Sequence, residues 1–523
     1  MHEFELIVGL LAAVCVLVGL ARRVRIPYPM VLLIGGIVLS FVPGLPEVAL
    51  DPQLALVLFL PPVLFAAAYF TSWRDFRANL RPISLLAFGL VLTTTVLVAV
   101  VARMTIEGMG WAPAFVLGAI VSPPDAVAAT AIFQRLGVPG RVATILEGES
   151  LINDASALVA YQFAVAATVT GVFSLQDASS RFLILSVGGV ALGLAVGWVL
   201  AQLLPLIREP SLEIAVTLLA PFAAYILAEE LHLSGVLATV AAGLYFGRKA
   251  PAALPPASHI RGVAVWDVAL LLVNGLVFIL IGLQLAGIRE ALADRELGML
   301  IWQGLMISAA VIVVRLLWVY PATYLPRLLV PGLAERDPAP NWRPIFIVAW
   351  SGLRGVVSLA AALALPIALD DGTPFPFRAE IITIAFIVIV VTLLGQGLPL
   401  PWLIRTLDIR GDTEVEEEVR VAKRAAALAA LTRIDELDGE PWVPDDHIGE
   451  LRDRYHHLLD HLSDDEETTL DEDHIEGYLR LRQEAREASR RALIELRDRG
   501  EIGDEARRHV ETFLDFDELR VEV

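Results

Sequence analysis

The sequence is nearly without cysteine and lysine: Cys15 stands alone, and two lysines accompany 38 arginines. A single cysteine excludes an intrachain disulfide and any cysteine-based metal centre. Charge is also scarce over most of the length. Residues 1–410 carry a net charge of only −1, whereas residues 411–523, with 34 acidic and 16 basic side chains, carry −18 of the total −19. The acidic balance and the lack of a clustered basic patch argue against nucleic acid as a partner, because phosphate contacts need concentrated Lys and Arg. No P-loop is present, so no nucleotide-driven chemistry and no cofactor is expected. The start, Met1-His2-Glu3, lacks the basic region and small-residue cleavage site of a signal peptide and reads as a retained first span. Arginine in place of lysine points to a GC-rich, prokaryotic genome.

What fills the chain is apolar. It is 56% hydrophobic and 19% charged, with a mean hydropathy of +0.66, more apolar surface than a soluble enzyme of this size can hide in its cores. Stretches long enough to cross about 30 Å of hydrocarbon lie near 4–21, 28–46, 52–71, 82–103, 111–133, 142–170, 181–204, 211–231, 233–247, 264–287, 299–320, 343–369 and 380–404. Thirteen spans put the termini on opposite sides. Taking alternate loops, starting with Arg22, Arg23 and Arg25, gathers 17 basic residues on one face and leaves five on the other. Since short cytoplasmic loops collect Lys and Arg, the expected topology has the N-terminus outside and the tail in the cytoplasm of a plasma membrane. Gly188, Gly189, Gly193 and Gly197 read as a helix-packing stripe.

Residues 411–523 change character. Ala422–Leu431 and Gly477–Leu496 have helical apolar spacing with i,i+4 charge pairs, which predicts a small acidic helical domain beside the membrane domain at 1–410. Its acidic run, Asp464-Asp465-Glu466-Glu467 with Asp471-Glu472-Asp473, reads as a solvated surface, because the EF-hand spacing is absent. Its histidines, His447, His456, His457, His461, His474 and His509, read as surface residues, with a pH sensor the weaker alternative. Gating, a cytoplasmic regulator and dimer stabilisation all remain open as roles for this tail.

Ionisable groups at membrane depth mark function by default. In the fifth span, Ser122-Pro123-Pro124-Asp125 sets a carboxylate after two prolines that remove backbone donors and break the helix, and broken helices are how secondary transporters build ion sites. The sixth span carries Glu149-Ser150-Leu151-Ile152-Asn153-Asp154. Glu149 with Asn153 and Ser150 with Asp154 are i,i+4 pairs, so four polar groups share one helix face that cannot meet lipid. Their oxygens suit a small monovalent cation, and Asp154 is the group expected to hold either a proton or that cation. Glu147, off this face, reads as interfacial. The twelfth span supplies a buried cation in Gly352-Leu353-Arg354-Gly355, and a membrane arginine needs a carboxylate partner. Glu149 is the expected one. Arg315 reads as a snorkelling side chain without a functional role.

Together these motifs, with Leu60-Pro61-Pro62-Val63-Leu64-Phe65, Ala228-Glu229-Glu230-Leu231-His232-Leu233-Ser234-Gly235 and Asn274-Gly275-Leu276-Val277-Phe278, resemble the monovalent cation:proton antiporter family, the sodium/proton exchangers of bacteria and eukaryotes. The likeness runs over nearly all of residues 5–410. It implies inverted repeats, a six-helix ion-carrying core moving elevator-like against a dimerisation domain, and hence a homodimer in lipid. It implies that Asp154 alternates between proton and cation, with Ser150 and Asp125 as further ligands of Na+. Asn153 becomes the neutral member of an Asn-Asp pair, which implies electroneutral one-for-one exchange, and Glu149 with Arg354 a stabilising bridge. The sequence departs from the pattern where many members have Thr or Ser before the span-five aspartate and Pro after it, since Pro124 and Ala126 stand there. That leaves open whether Ser122 or backbone carbonyls ligate the ion, and whether it is Na+, Li+ or K+.

The expectation is therefore a non-enzymatic carrier exchanging a monovalent cation for H+. A cation or proton channel and an ion sensor signalling through the tail are the alternatives; the first lacks a filter-like glycine-rich re-entrant loop and the second a recognisable signalling domain.

Overall fold

The structure, a computed structural model, describes residues 2–43, 52–171, 175–207, 209–253, 255–291, 297–369, 372–409, 413–438 and 445–463, with 492 and 499 besides. The chain divides into two units, Met1–Asp412 and Thr413–Val523.

The first unit is a helical bundle, and among the described residues it holds no strand, only an isolated bridge between Ala368 and Pro374. Its first helices are α1 (His2–Val24), α2 (Tyr28–Leu39) and α3 (Pro52–Phe70). The short α4 (Trp73–Ala78) is capped by Ser72, whose Oγ accepts the Asp75 N–H at 3.3 Å, and α5 (Leu80–Ser84) passes through a π-helical turn, Leu85–Leu90, into α6 (Val91–Thr105). Two half-helices follow, α7 (Trp111–Val121) and α8 (Val127–Leu136), then α9 (Gly140–Thr170), α10 (Leu175–Ile207), α11 (Pro210–Glu230), α12 (Gly235–Ala253) and α13 (Pro256–Ala291). After α14 (Leu297–Leu329) and the turn α15 (Leu333–Arg336) come two more half-helices, α16 (Trp342–Trp350) and α17 (Val356–Leu363). α18 (Arg378–Val390) runs into a second π-helical turn, Val391–Gln396, and α19 (Leu400–Thr406) ends the unit.

Each apolar stretch of the sequence contains a helix or a pair of half-helices among its described residues, and seven of the described helices are long and apolar enough to cross a membrane by themselves. α9, at 31 residues, is about 46 Å long at 1.5 Å per residue. Its polar stripe dilutes its apolar content and keeps it out of that set. The bundle reverses the soluble pattern: Leu183, Ile184, Trp198, Leu206, Leu317 and Leu328 are exposed, while Glu149, Arg315 and Arg354 are buried. A surface of that kind is matched to lipid.

Packing separates two groups of helices. α1–α3 associate with α10–α13, and α5–α9 with α14–α18. The glycine stripe of α10 explains the tightest pairing of the first group. A Cβ on Gly189 would lie 2.7 Å from the Ser234 carbonyl oxygen and one on Gly197 2.8 Å from that of Ala242, so only glycine lets α10 approach α12 so closely. The two groups meet where α3 touches α9 and α17, α12 touches α9, and α13 touches α17 and α18.

The second unit contributes α20 (Thr413–Glu436) and α21 (Asp445–Ser463), bridged by Arg452, whose Nη2 donates to Asp435 at 2.6 Å and to Asp438 at 3.4 Å. Ala422–Leu431 lies within α20. The acidic run at 464–473, the segment 477–496 apart from residue 492, His474 and His509 lie outside the described residues.

Candidate ion-binding site

The two interrupted helices cross. Pro123 and Pro124 end α7 at Val121 because neither ring nitrogen can donate, and α16 stops at Trp350 before the glycine-containing run 351–355. The freed backbone ends find partners: the Asp125 N–H donates across the crossing to the Leu353 carbonyl at 2.7 Å, and the Arg354 N–H donates to Thr392 Oγ1 in the second π-helical turn at 3.1 Å. Side chains complete the crossing by charge. Arg354 donates from Nε to the Val121 carbonyl at 3.0 Å and from Nη2 to that of Ser122 at 3.3 Å, and its Nη1 reaches the Gly352 carbonyl. A cation thus faces the C-terminal end of α7. Conversely, the Asp125 carboxylate accepts the Val127 N–H at 2.8 Å and faces the Val356 N–H, at the first turns of α8 and α17. An anion at helix starts and a cation at a helix end each oppose the local dipole. Gly355 makes room for this, since any Cβ there would overlap the Asp125 carboxylate.

α9 presents its stripe to the crossing. Asn153 Nδ2 donates to the Pro124 carbonyl at 2.8 Å, and the Ala126 N–H points to Ser150 Oγ at 3.4 Å. Ser156 Oγ lies 2.6 Å from the Ala87 carbonyl in the first π-helical turn, so α9 is tied on both sides. At the second π-helical turn, Trp350 Nε1 donates to the Gln396 carbonyl and Gln396 Nε2 to that of Trp350, both at 2.9 Å.

The ion bridge differs from the sequence expectation. Glu149 is paired with Arg315 rather than Arg354: Nη1 meets Oε1 at 2.5 Å and Nη2 meets Oε2 at 2.8 Å, a two-pronged fit, and Arg315 also donates to the Val348 carbonyl from Nε and Nη2. Both side chains are 1% exposed. Arg315 is therefore no snorkelling residue. Arg354 spends its donors on the carbonyls freed by the broken helices, which the sequence alone does not reveal as competitors for them. The two guanidiniums are neighbours, since a Cβ on Gly352 would stand 2.9 Å from both Arg315 Nε and Arg354 Nη1.

A cavity of about 570 Å³ lies against the crossing. Asp125, Ser150 and Asp154 line it together, with Tyr28 and Asn274 from the other helix group. Glu147 lines it as well. Asn153 stays behind the wall as a hydrogen-bonding brace. Ser122 also turns away: its Oγ is 3.1 Å from the Ala119 carbonyl in its own helix, and its backbone carbonyl serves Arg354. Neither Asp125 nor Asp154 has a basic partner within 4.0 Å among the described residues. Two uncompensated carboxylates beside hydroxyl oxygens form a hard-oxygen pocket that attracts a small cation or a proton.

Beyond the apolar spans, Asp337 gathers three arginines. Arg141 and Arg327 approach it at 2.9 and 2.8 Å, Arg81 donates to it as well, and Arg141 Nε donates to Asn79 Oδ1 at 3.1 Å. Partial burial pushes this carboxyl up, but the hydrogen bond and charge of Arg141, the charge of Arg327 and the hydrogen bond of Arg81 outweigh it and hold it below its ordinary range.

An all-helical membrane bundle whose interrupted helices cross beside a carboxylate-lined cavity has the architecture of secondary ion transporters. The family described as sodium/hydrogen exchanger, transmembrane, matches residues 9–406. A Mycobacterium tuberculosis protein named an uncharacterized Na+/H+ exchanger is 34% identical over 98% of this chain and 95% of its own length. A sodium, potassium, lithium and rubidium/H+ antiporter of Bacillus pumilus is 33% identical over 79% of this chain and 62% of its own. Among solved structures, a sodium proton antiporter from Methanocaldococcus jannaschii superposes with a TM-score of 0.60 at 19% identity, covering 76% of this chain and 97% of that one. The chain belongs to the sodium/hydrogen exchanger family.

Proposed function

We propose that this protein exchanges a monovalent cation, Na+ before Li+ or K+, for H+ by alternating access, with cation and proton competing for Asp154. The observation that carries the reading is the cavity in which Asp154, Asp125 and Ser150 converge with, among the described residues, no basic side chain within 4.0 Å to neutralise the carboxylates. A bare carboxylate at membrane depth costs several kcal/mol, so the core crosses the apolar barrier only when Asp154 carries a proton or a cation, and exchange follows from that exclusion. Asp125, held by the starts of α8 and α17, and Ser150 on α9 complete the ligand set, and Asn153 braces the break through Pro124.

The helices α1–α3 and α10–α13 form the fixed, dimerising part, and α5–α9 with α14–α18 the moving core. Cavity residues Phe70, Gln134 and Glu147 stand near the arginine-rich loops, which fits an inward-facing state with the N-terminus outside and residues 411–523 a cytoplasmic tail. The neutral Asn153 beside Asp154 supports one-for-one, electroneutral exchange.

Reconstitution in vesicles with an internal pH dye tests this. A Na+ gradient is expected to move protons at zero membrane potential and to do so unchanged when a potential is applied. Conductance without coupled proton movement would instead make the protein a channel, and the absence of both fluxes would turn attention to the tail.

A further inference from the structure

Several buried hydroxyls in this bundle share one habit. Thr95, Thr239, Ser308 and Thr383 each donate to the carbonyl four residues earlier, at 2.7 to 2.9 Å. This back-bonding is how a helix satisfies a hydroxyl away from water. Ser358 breaks the habit. It is 1% exposed, and its Oγ has no hydrogen-bond partner. The reason is local: the residues four and three positions earlier are Arg354 and Gly355, on and beside the break, and their carbonyls are not those of a continuous helix. An unpaired buried hydroxyl is costly to keep, and one at a cavity wall is free to serve a ligand.

Several described buried polar atoms lack a partner, in Thr94, Ser186, Glu213, Ser258 and Ser351 and at Asn153 Oδ1 and Gln396 Oε1, but of these residues Ser358 is the one that also lines the cavity. It lies in the first turn of α17, three residues beyond the Gly355 that the Asp125 carboxylate covers. Its neighbour Val357 packs on the cluster containing Leu151 and Ala155, the α9 residues flanking Ser150 and Asp154. Ser358 therefore belongs to the same cavity wall as Asp125 and Asp154.

We propose that Ser358 is a further ligand of the transported cation, its Oγ supplying a neutral oxygen beside Asp154, Asp125 and Ser150. This rests on the cation reading of the cavity. A hydroxyl lone pair coordinates the dehydrated ion from the α17 side, so the cation contacts both interrupted helices as well as α9. When Asp154 is instead protonated the same oxygen accepts a hydrogen bond or a water. The role is selective for the cation, because a proton on Asp154 needs no fourth oxygen.

The test uses the full chain in proteoliposomes, comparing wild type, Ser358→Ala and Ser358→Thr, with initial rates measured against Na+, Li+ and K+ at fixed pH. Ser358→Ala is expected to raise the apparent KM for the preferred cation about fivefold to tenfold, the loss of one neutral oxygen contact. The maximal rate should stay within about twofold, and Ser358→Thr should restore the KM. In parallel, Na+-dependent thermal stabilisation of the detergent-purified protein reads binding without transport, and its midpoint should shift to higher Na+ in Ser358→Ala alone. An unchanged KM and an unchanged Na+ midpoint in Ser358→Ala would overturn the proposal, as would a fall in maximal rate and basal stability at constant KM, which marks a packing role. Wild type that shows no cation-driven proton movement and no Na+ stabilisation would overturn the cation reading itself, a different result from a working wild type and an indifferent Ser358→Ala.

Discussion

The buried Glu149–Arg315 pair makes a quantitative prediction because a second arginine stands beside it. Removing one partner of a buried, hydrogen-bonded ion pair leaves the other charge uncompensated and costs about 3–5 kcal/mol, whereas removing both together costs much less. Arg315 meets both carboxylate oxygens, at 2.5 and 2.8 Å, and holds the Val348 carbonyl as well; Arg354 bonds only to carbonyls and to Thr392. Two double-mutant cycles separate the arginines: Glu149→Gln with Arg315→Gln, and Glu149→Gln with Arg354→Gln. The first should show a coupling of about 2–3 kcal/mol, the second below about 1 kcal/mol. The assay is thermal unfolding in detergent followed by tryptophan fluorescence, backed by the fraction remaining monodisperse after heating. Coupling larger for Arg354 than for Arg315 would refute the pairing and restore the bridge expected from the sequence.

Three further predictions follow from the same geometry. Gly355→Ala should displace the Asp125 carboxylate that lies over this residue, raising the apparent KM for the cation in vesicle assays while thermal stability falls only modestly; unchanged transport kinetics would contradict the crossing. Asp337→Asn should lower thermal stability at pH 7, and because the folded-state carboxyl is held below its ordinary range, that stabilisation is present above about pH 4 and lost as pH falls through the lower folded value. Melting curves of the wild type and the variant should converge as the pH falls below the ordinary carboxylate range, and a gap that widens in acid would be the wrong sign. Asn153→Asp replaces a donor to the Pro124 carbonyl with a second acceptor, an unsatisfied buried contact costing about 1–3 kcal/mol, readable as a lower melting temperature.

Much of this architecture was legible in the sequence because membrane physics leaves few choices. Apolar runs of crossing length must be helices, Pro123-Pro124 must interrupt one, and four polar groups at i,i+4 spacing must face inward. The Gly188–Gly197 stripe likewise implied close packing. What the sequence could not carry was the choice of partner across helices. Arg315 and Arg354 are each a lone arginine in an apolar span, and the deciding fact is that Arg354 lies at the broken end of α7, where freed carbonyls compete for its donors. Glu147, which reads as interfacial, stands three residues before Ser150 and seven before Asp154 on α9 and lines the same cavity. Ser358 gave only a weak signal, a hydroxyl four residues after a break, which deprives it of the helical carbonyl it would otherwise use. Ser122, left open as a ligand by the sequence, differs in the opposite way: its helix is intact three residues back and takes up its hydroxyl.

Competition for Asp154 is the central claim, and the dependence of cation affinity on pH tests it most directly. Initial rates of Na+-driven proton movement in proteoliposomes, measured over a matrix of Na+ concentrations and pH values, should show an apparent KM for Na+ that rises about tenfold per unit fall in pH once the proton dominates the site. The maximal rate at saturating Na+ should remain the same over that range, and Asp154→Asn should abolish the flux at every pH. An apparent KM that ignores pH while the maximal rate changes, or Na+-driven proton movement that survives Asp154→Asn, would mean that cation and proton do not share this carboxylate.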